Sequence, residues 1–280
     1  MGFIRGAKVL VAASLLAMGL TACSKQEQST DANLSSIDRI KKNDVVRIGV
    51  FTDKPPFGYL DEKGNNQGFD VEIAKHVAKD LLGDEKKVQF VPTEAANRVE
   101  YLKSNKVDII FANFTITPER KEVVDYAKPY LKVALGIVSP KDHQITDLTQ
   151  LKDKILLVNK GTTADNFFTK NHPEIKLQKY EQNTETFDAL KDGRGAALAH
   201  DNLLVLAWAK ENPNFKVGIP TLGQHDFIAP AVKKGDTALL DWLNKDMDKL
   251  TKEGVMQQAY EKTLKPVYGT DISEKELLVE

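Results

Sequence analysis

Residues 107–120 read Val-Asp-Ile-Ile-Phe-Ala-Asn-Phe-Thr-Ile-Thr-Pro-Glu-Arg, an apolar run followed directly by polar and charged side chains. The run over 107–112 is short and rich in β-forming residues, which is typical of a buried strand in an α/β protein. Thr117 and Pro118 are residue types favoured at the N-cap and at the first position of a helix. This stretch therefore predicts a buried strand, a polar loop and a helix that begins at Pro118.

Arg120 then falls in the first helical turn, where the macrodipole disfavours a cation by a few tenths of a kcal/mol up to about 1 kcal/mol. A cation at this position indicates an anionic partner. Two partners are open: a ligand anion, for which the guanidinium offers a planar fork, or a surface ion pair with Glu122 or Asp125.

The residues before this stretch alternate between strand and helix signals. Runs rich in β-formers at 45–51 and 88–91 predict strands. An apolar face over 71–81, after Asp70, predicts one helix, and a second is predicted from Thr93. The order strand, helix, strand, helix, strand implies a parallel sheet covered by helices.

The residues after it repeat this order of elements. Strands are predicted at 155–158, 175–180 and 196–199, and helices at 164–170 and 184–190. Because the repeat lies within one chain, it predicts two α/β lobes that are built alike.

Three further segments complete this organisation. Residues 132–140 and 227–233 are extended and could carry the chain from one lobe to the other and back. The helical stretch from Asp236 has large apolar residues at three- and four-residue spacing, which predicts a face that packs on the first lobe.

The N-terminus predicts a targeting segment. Arg5 and Lys8 precede an apolar run over 9–20 that is too short to cross a bilayer as a helix. Its end, Leu-Thr-Ala-Cys, resembles a bacterial lipobox, in which Cys23 is lipidated and becomes the first residue of the mature protein. The polar residues after Cys23 are predicted to form a flexible tether.

Composition excludes several classes of function. The 280 residues are 41% hydrophobic, which is ample for packed cores. The balance of 39 Lys and Arg against 40 Asp and Glu provides no broad electrostatic case for nucleic acid. With a single Cys, an internal disulfide framework is impossible.

Catalytic signatures do not appear in the sequence. The five His residues are scattered without a zinc-binding spacing, and neither a Gly-rich phosphate loop nor a Gly-x-Ser-x-Gly elbow is present. The protein is therefore expected to have no catalytic residues, no metal and no cofactor.

Three groups of residues instead fit the capture of a small molecule. Arg120 suits a carboxylate, and the segment 161–163 (Gly-Thr-Thr) joins a strand to a helix, so its free N–H groups and hydroxyls suit the same anion. Asp201 follows a strand and suits an ammonium group. Thr162 and Asp201 could each be only a helix cap or helix start, but together the three groups predict a receptor for a zwitterion.

The chain from about 45 to 268 resembles the periplasmic solute-binding proteins of ABC transporters, specifically the polar amino-acid family. Within that family the resemblance is to cysteine-binding lipoproteins and, less strongly, to cystine binders. The segments that carry it occur in family order: Arg-Ile-Gly-Val at 47–50, Pro-Phe at 56–57, Gly-Phe-Asp-Val at 68–71, Thr-Ile-Thr-Pro-Glu-Arg at 115–120, Gly-Thr at 161–162, and Asp201.

The resemblance implies the two-lobed, type II periplasmic binding protein fold, an α/β architecture with two crossover strands as hinge. It implies a lipoprotein signal peptide at 1–22, a lipid-anchored flexible tether at 23–43, a first lobe at 44–132 and 229–270, a second lobe at 133–228, and a C-terminal tail at 271–280.

The resemblance also implies a role for individual residues. Arg120 would grip the α-carboxylate of the ligand, and Asp201 would hold its α-amino group. Thr115, Thr162 and Thr163 would assist, Asn113 would contact the amine, and Phe51, Lys54 and Tyr59 would read the ligand side chain. Many members carry an aromatic residue where this chain has Lys54, so Tyr59 is a candidate substitute.

The implied function is to capture a free amino acid, cysteine or cystine, and to deliver it to permease subunits in the inner membrane. The protein is expected to be a monomer, periplasmic or on the cell surface, and anchored through lipid on Cys23. Two alternatives remain open, namely a dehydratase-like enzyme on the same fold, and a surface adhesin or sensory receptor.

Overall fold

The computed structural model describes residues 35–279. The predicted signal peptide, Cys23 and the tether up to residue 34 lie outside the described residues. The strands are β1 (Val46–Val50), β2 (Asp53–Lys54), β3 (Gly58–Leu60), β4 (Asn66–Gln67), β5 (Val88–Pro92), β6 (Ile109–Ile110), β7 (Val124–Tyr126), β8 (Leu131–Pro140), β9 (Ile155–Asn159), β10 (Lys176–Tyr180), β11 (Ala197–Asp201), β12 (Phe215–Ile228) and β13 (Ala231–Lys233). The helices are α1 (Ser36–Asn43), α2 (Phe69–Leu82), α3 (Arg98–Lys103), α4 (Pro118–Lys121), α5 (Thr163–Asn171), α6 (Asn183–Lys191), α7 (Asn202–Glu211), α8 (Thr237–Lys252), α9 (Val255–Ala259), α10 (Lys265–Tyr268) and α11 (Glu274–Leu277).

The first of two large sheets has the strand order β5-β1-β6-β13-β7. β1 pairs in parallel with β5 and β6, while β13 is antiparallel to β6 and β7. The helical connections α2 and α3 return the chain to the end of the sheet where the preceding strand began, which is what parallel pairing requires. We call this sheet and the helices around it the first lobe, together with the small sheet β2-β3-β4.

The second large sheet, with α5 to α7, forms the second lobe and has the order β10-β9-β11-β8-β12. β10, β9 and β11 are parallel to one another, whereas β8 runs antiparallel to both of its neighbours, β11 and β12. In both sheets the first strand of the unit lies between the second and the third, so the two lobes repeat one topology. The predicted two-lobed α/β fold with lobes built alike is confirmed.

Two strands carry the chain between the lobes. β8 and β12 run antiparallel, and their ends at Leu131 and Ile228 lie opposite each other. β13 follows β12 and enters the first sheet beside β6. The two crossings are therefore neighbours in space, and Thr115 forms an isolated bridge to Ile228 next to them.

The C-terminal helices pack on the first lobe. Leu239, Leu243, Met247 and Leu250 of α8 are buried, as their spacing predicts, and α8 and α9 contact α2. They share one apolar core with the buried face of α2.

The prediction for residues 36–43, which was based on composition, is wrong. They were predicted to belong to the flexible tether, but they form α1, which Ser35 caps and whose Ile40 is buried. The prediction overlooked that Ile37 and Ile40 lie on one face of a helix and can pack against α8. The predicted C-terminal tail is also packed in part, because Leu277 and Leu278 are buried and Leu278 bridges to Leu131.

Candidate functional site

Arg120 lies on α4, a helix of four residues whose start the sequence predicted correctly. Thr117 is the N-cap, and its side chain accepts a hydrogen bond from the backbone N–H of Arg120 at 3.2 Å. The Arg120 side chain is buried and donates to the carbonyl of Thr115 at 2.7 Å and to that of Gly161 at 2.8 Å. The alternative of a surface ion pair with Glu122 or Asp125 is wrong, since the Arg120 side chain is buried and Asp125 pairs with Lys234.

A second buried guanidinium, that of Arg98, meets the same carbonyl. Arg98 belongs to the first lobe and donates to the carbonyl of Gly161, in the second lobe, at 3.1 Å. The guanidinium carbons of Arg98 and Arg120 lie 4.2 and 4.8 Å from the centre of the Phe114 ring. Two cations therefore share one carbonyl and one aromatic ring at the boundary between the lobes.

Arg98 is a residue of the site that no sequence motif indicated. Its other bonds go to the carbonyls of Ala95, Ala112 and Asn113 at 3.0, 3.1 and 3.3 Å. One signal could have found it: Arg98 lies four residues before the buried Leu102, and residues at that spacing share a helix face.

Burial makes these cations costly. It lowers the pKa of Arg98 to about 9, with a further contribution from the charge of Arg120. Burial likewise lowers the pKa of Arg120. Because their hydrogen bonds go to neutral carbonyls, a carboxylate placed here would gain strong, charge-assisted bonds.

Asp201, the last residue of β11, supplies the negative charge of the site. It is buried, and its Oδ2 accepts from Lys54 Nζ at 2.6 Å and from Asn113 Nδ2 at 2.7 Å. Burial raises the pKa of Asp201, but the charge of Lys54 and the hydrogen bond that its ammonium group donates outweigh burial and leave the pKa at about 2. Within residues 35–279, Asp201 Oδ1 has only a long 3.5 Å contact with Thr163 Oγ1, so it can accept a hydrogen bond from another donor.

Lys54 is as deeply buried as the carboxylate it pairs with. Its Nζ lies 5.1 Å from the centre of the Phe51 ring and 5.9 Å from that of Phe57. Burial lowers the pKa of Lys54, while the pairing with Asp201 opposes that shift. The structure thus brings Phe51 and Lys54 together beside Asp201.

Asn113 is positioned by a residue beneath it. Its backbone has a φ of 44°, in the left-handed region, which Asn tolerates better than most residues. The Asn113 N–H donates to Asp70 Oδ2 at 2.7 Å, and the Tyr130 hydroxyl donates to Asp70 Oδ1 at 2.7 Å. Burial raises the pKa of Asp70 to about 7.

The Asn113 side chain keeps one free acceptor. Its Nδ2 is engaged by Asp201, but its Oδ1 is buried and has no hydrogen-bond partner among residues 35–279. An ammonium group near Asp201 could therefore be held by the carboxylate and by this amide oxygen together.

The segment 161–163 is used partly as a cap. Thr162 is the N-cap of α5: its Oγ1 accepts from the Asp165 N–H at 3.2 Å and donates to the Asn159 carbonyl at 2.7 Å. Gly161 has a φ of 72°, and a Cβ there would lie 2.7 Å from the Cα of Ala96. Only glycine allows the two lobes to come this close.

Among residues 35–279, no group of three or more His, Cys, Asp or Glu side chains could hold a metal ion. Within the same residues, no helix has both the length and the apolar character that a bilayer crossing needs.

Comparison with known proteins places this geometry in a family. Residues 46–266 match the model of the bacterial extracellular solute-binding proteins, family 3. The chain belongs to this family. The resemblance to periplasmic solute-binding proteins that the motifs indicated is confirmed.

Three similar proteins illustrate the range of relatives of this solute-binding protein. The crystal structure of a solute receptor for L-cysteine from Neisseria gonorrhoeae is 66% identical, with 87% of this chain and 99% of that chain covered and a TM-score of 0.86. The cysteine-binding protein of Campylobacter jejuni is 61% identical, with 88% and 100% covered and a TM-score of 0.87. The ABC transporter glutamine-binding protein of Bacillus subtilis is 36% identical over 259 residues, which are 91% of this chain and 94% of that protein.

A further contact joins the lobes of this solute-binding protein away from the buried charges. The Asp53 carboxylate, in the first lobe, accepts from the N–H of Asn183 at 2.7 Å, from that of Thr184 at 3.3 Å and from Asn183 Nδ2 at 2.8 Å. These groups are at the start of α6 in the second lobe, where Gln182 forms no side-chain cap. Asp53 therefore caps a helix of the opposite lobe and favours contact between the lobes.

We expect Asp53→Ala to weaken binding of an amino-acid ligand because it removes a contact between the lobes, not a contact with the ligand. A lost cap costs about 1 kcal/mol, so the dissociation constant should rise about fivefold by calorimetry. Asp188→Ala removes an exposed carboxylate from the same helix, where it pairs with the exposed Lys191, and should leave affinity unchanged. Equal affinities of the two variants would contradict the role of Asp53.

Tyr59 is not brought to the paired charges. It borders a cavity of about 450 Å³ whose other lining residues include Pro55, Pro56, Phe187 and Trp208. The structure thus gathers Phe51, Lys54, Asn113, Thr115, Arg120, Thr162, Thr163 and Asp201 where the lobes meet, and leaves Tyr59 at a separate cavity.

Proposed function

We propose that this protein captures a free amino acid between its lobes and delivers it to an ABC permease, with cysteine as the ligand and cystine as the alternative. One observation carries the proposal: a buried cation, Arg120, and a buried carboxylate, Asp201, come from opposite lobes, and each bonds a residue of the other lobe. A zwitterion is the small molecule whose two charges this pair complements.

Each charged end of the ligand has donors or acceptors available. Its α-carboxylate binds the guanidinium fork of Arg120, assisted by Thr162 and Thr163 at the start of α5. Its α-ammonium group binds Asp201 Oδ1, which has a long contact with Thr163, and Asn113 Oδ1, which has no hydrogen-bond partner among residues 35–279. Phe51 and Lys54 contact the ligand side chain.

Cysteine is favoured over other amino acids by the degree of similarity. The two structures titled as cysteine receptors are 66% and 61% identical to this chain, whereas the glutamine-binding relative is 36% identical. Specificity in this family varies among relatives at lower identity, which include proteins named for arginine and L-cystine at 27% and 25%.

Delivery depends on the movement of the lobes. A ligand that contacts both lobes shifts the population towards the form in which they touch, and that form is what a permease would recognise. We further propose that residues 1–22 direct export, that lipid on Cys23 anchors the protein as a monomer to a membrane, and that it acts in the periplasm or at the cell surface.

An enzymatic role is the second candidate, because one structural neighbour is related to an enzyme. The ancestral protein titled a precursor of cyclohexadienyl dehydratase is 33% identical with a TM-score of 0.75. That ancestral protein is itself described as an amino acid-binding protein, which agrees with a binding role here. Mass spectrometry of candidate cyclic carboxylic acids incubated with the protein should find no turnover; turnover would favour the enzyme.

The ligand can be identified in two steps. Native mass spectrometry of the purified protein reveals a co-purified ligand, and a thermal-shift screen of the common amino acids with cystine and reduced cysteine follows. A ligand at one hundred times its dissociation constant stabilises by about 2.7 kcal/mol, so cysteine should raise the melting temperature above all others. A larger shift with glutamine or arginine, and none with cysteine, would overturn the proposed ligand.

A further inference from the structure

The charges of the site are unequal in number. Lys54, Arg98 and Arg120 are buried cations at the lobe boundary, and Asp201 is the buried carboxylate that faces them. Asp70, beneath Asn113, has its pKa raised by burial to about 7 and so is only partly ionised at neutral pH. Asp226, the other carboxylate near Arg120, is exposed to solvent, so the buried part of the site within residues 35–279 carries an excess of positive charge.

A zwitterionic amino acid does not remove this excess, since its own charges cancel. Its carboxylate neutralises Arg120, but its ammonium group adds a cation at Asp201. Lys54 Nζ already holds Asp201 Oδ2 at 2.6 Å, so one carboxylate would then serve two ammonium groups in a buried place. Unpaired charges in such surroundings are costly.

The side chain of the ligand can supply the missing anion. A lysine ammonium has three donors, and Lys54 directs one of them to Asp201 while its Nζ lies 5.1 Å from the centre of the Phe51 ring. Resting on the proposed function, we propose that cysteine binds with its thiol ionised, as a thiolate paired with Lys54. The site would then select cysteine over serine by the charge that only a thiol can develop near neutral pH.

The chemistry of the surrounding groups supports this form. A free thiol has a pKa of about 8.5, and neighbouring cations lower that pKa by stabilising the thiolate. The tyrosines of the site stay neutral, because burial raises the pKa of Tyr126 to about 12 and that of Tyr130 well above its ordinary value. Burial also lowers the pKa of His200 to about 3, so this imidazole is neutral.

The groups that remain charged or can titrate around the ligand side chain are few. They are Lys54 of β2, Asp70 of α2, Arg98 of α3, Arg120 of α4, Asp201 of β11 and Asp226 of β12, whose pKa burial raises. Since all of these face any amino-acid ligand alike, a signal specific to cysteine reports on the thiol.

The test measures proton release and thiolate absorbance with the purified protein. Calorimetry at neutral pH in buffers of different ionisation enthalpy should show about one more proton released with cysteine than with S-methylcysteine, which cannot ionise. Ultraviolet difference spectra should show the thiolate band on binding. Affinity for cysteine should rise about tenfold per pH unit and level off above the pKa of the free thiol, near 8.5.

The sign of that pH dependence follows from linkage. A bound thiol with a lowered pKa is already ionised at pH values where the free thiol is protonated, so binding releases a proton there and strengthens as pH rises. Cysteine binding without the thiolate band or the extra proton would overturn this inference and leave the proposed function standing. Failure of cysteine to bind at all would overturn both.

Lys54→Met tests the thiolate separately from the binding of the ligand's α-carboxylate and α-ammonium groups. Methionine keeps a similar length and apolar stem but has no ammonium group, so the thiolate band and the extra proton should disappear. Lys54→Arg restores a cation and should restore both signals. Circular dichroism checks that each variant is folded, and a thiolate band that persists in the methionine variant would contradict the role of Lys54.

Discussion

Arg120→Ala should weaken binding of the amino-acid ligand by about 2–5 kcal/mol, which is about 30-fold to a few thousandfold in the dissociation constant. The Arg120 guanidinium donates to the Gly161 carbonyl, two residues before the start of α5, and without it the ligand carboxylate loses the charged donor that the proposal assigns to it. Calorimetry or a thermal-shift titration with cysteine measures the loss.

The same substitution should not lower the stability of the ligand-free protein. Removing Arg120 relieves its repulsion with Arg98, and the Thr115 carbonyl keeps a donor in the Tyr126 hydroxyl at 3.0 Å. Arg120→Lys keeps the charge without the planar fork and should give an intermediate loss of affinity. Lys121→Ala, on the exposed side of α4, is the matched control, and unchanged affinity in Arg120→Ala would contradict the carboxylate role.

Asp201→Ala should cost both stability and binding. It leaves Lys54 buried without an anion, and breaking a buried pair by removing one partner costs about 3–5 kcal/mol. The free energy of unfolding should fall by that order in urea denaturation, and cysteine should no longer raise the melting temperature. A variant as stable as the wild type would show that the pair with Lys54 is not formed in solution.

A second substitution separates the two roles of Asp201. Adding Lys54→Met to Asp201→Ala removes the unpaired cation, so most of the lost stability should return, because an apolar replacement of a buried pair is often neutral. Binding should not return, since the ligand amine still lacks its carboxylate. Recovery of binding in the double variant would contradict the amine role.

The contribution of Asp201 also depends on pH. Its pKa of about 2 lies below the ordinary value of 3.8, so its stabilising effect is present above that value and is lost as pH falls through the lower one. The difference in unfolding free energy between the wild type and Asp201→Asn should therefore be larger at about pH 5 than at about pH 2. A difference that does not change over this range would contradict the pairing.

Local patterns predicted much of the fold. The apolar run before Asn113, the Thr117 cap and Pro118 placed a strand and a helix start where the structure has β6 and α4. The repeated order of elements predicted two similar sheets, because each crossover helix and each parallel strand has its own periodicity. Helix α1 was not predicted, because the composition of that segment is polar and its apolar face consists of only two residues.

The candidate site was predicted less completely. Arg120 and Asp201 were found because each stands at the end of a recognisable element, where side chains face the boundary of a sheet. Arg98 was missed because it lies within a helix and looks like a surface residue until its neighbours are known. Tyr59 was grouped with the side-chain readers by its place in the sequence, but it borders a separate cavity.

The sequence by itself determined the two α/β lobes, the crossings between them and the residue types available for a zwitterion, since these depend on periodicity and capping within a few residues. Only the tertiary structure decided which charges meet. Lys54 and Asp201 are 147 positions apart, and Arg98 and Gly161 are 63 apart. Their pairing and their shifted pKa values depend on burial and on charges within a few ångströms, which distant segments create only when the lobes pack together.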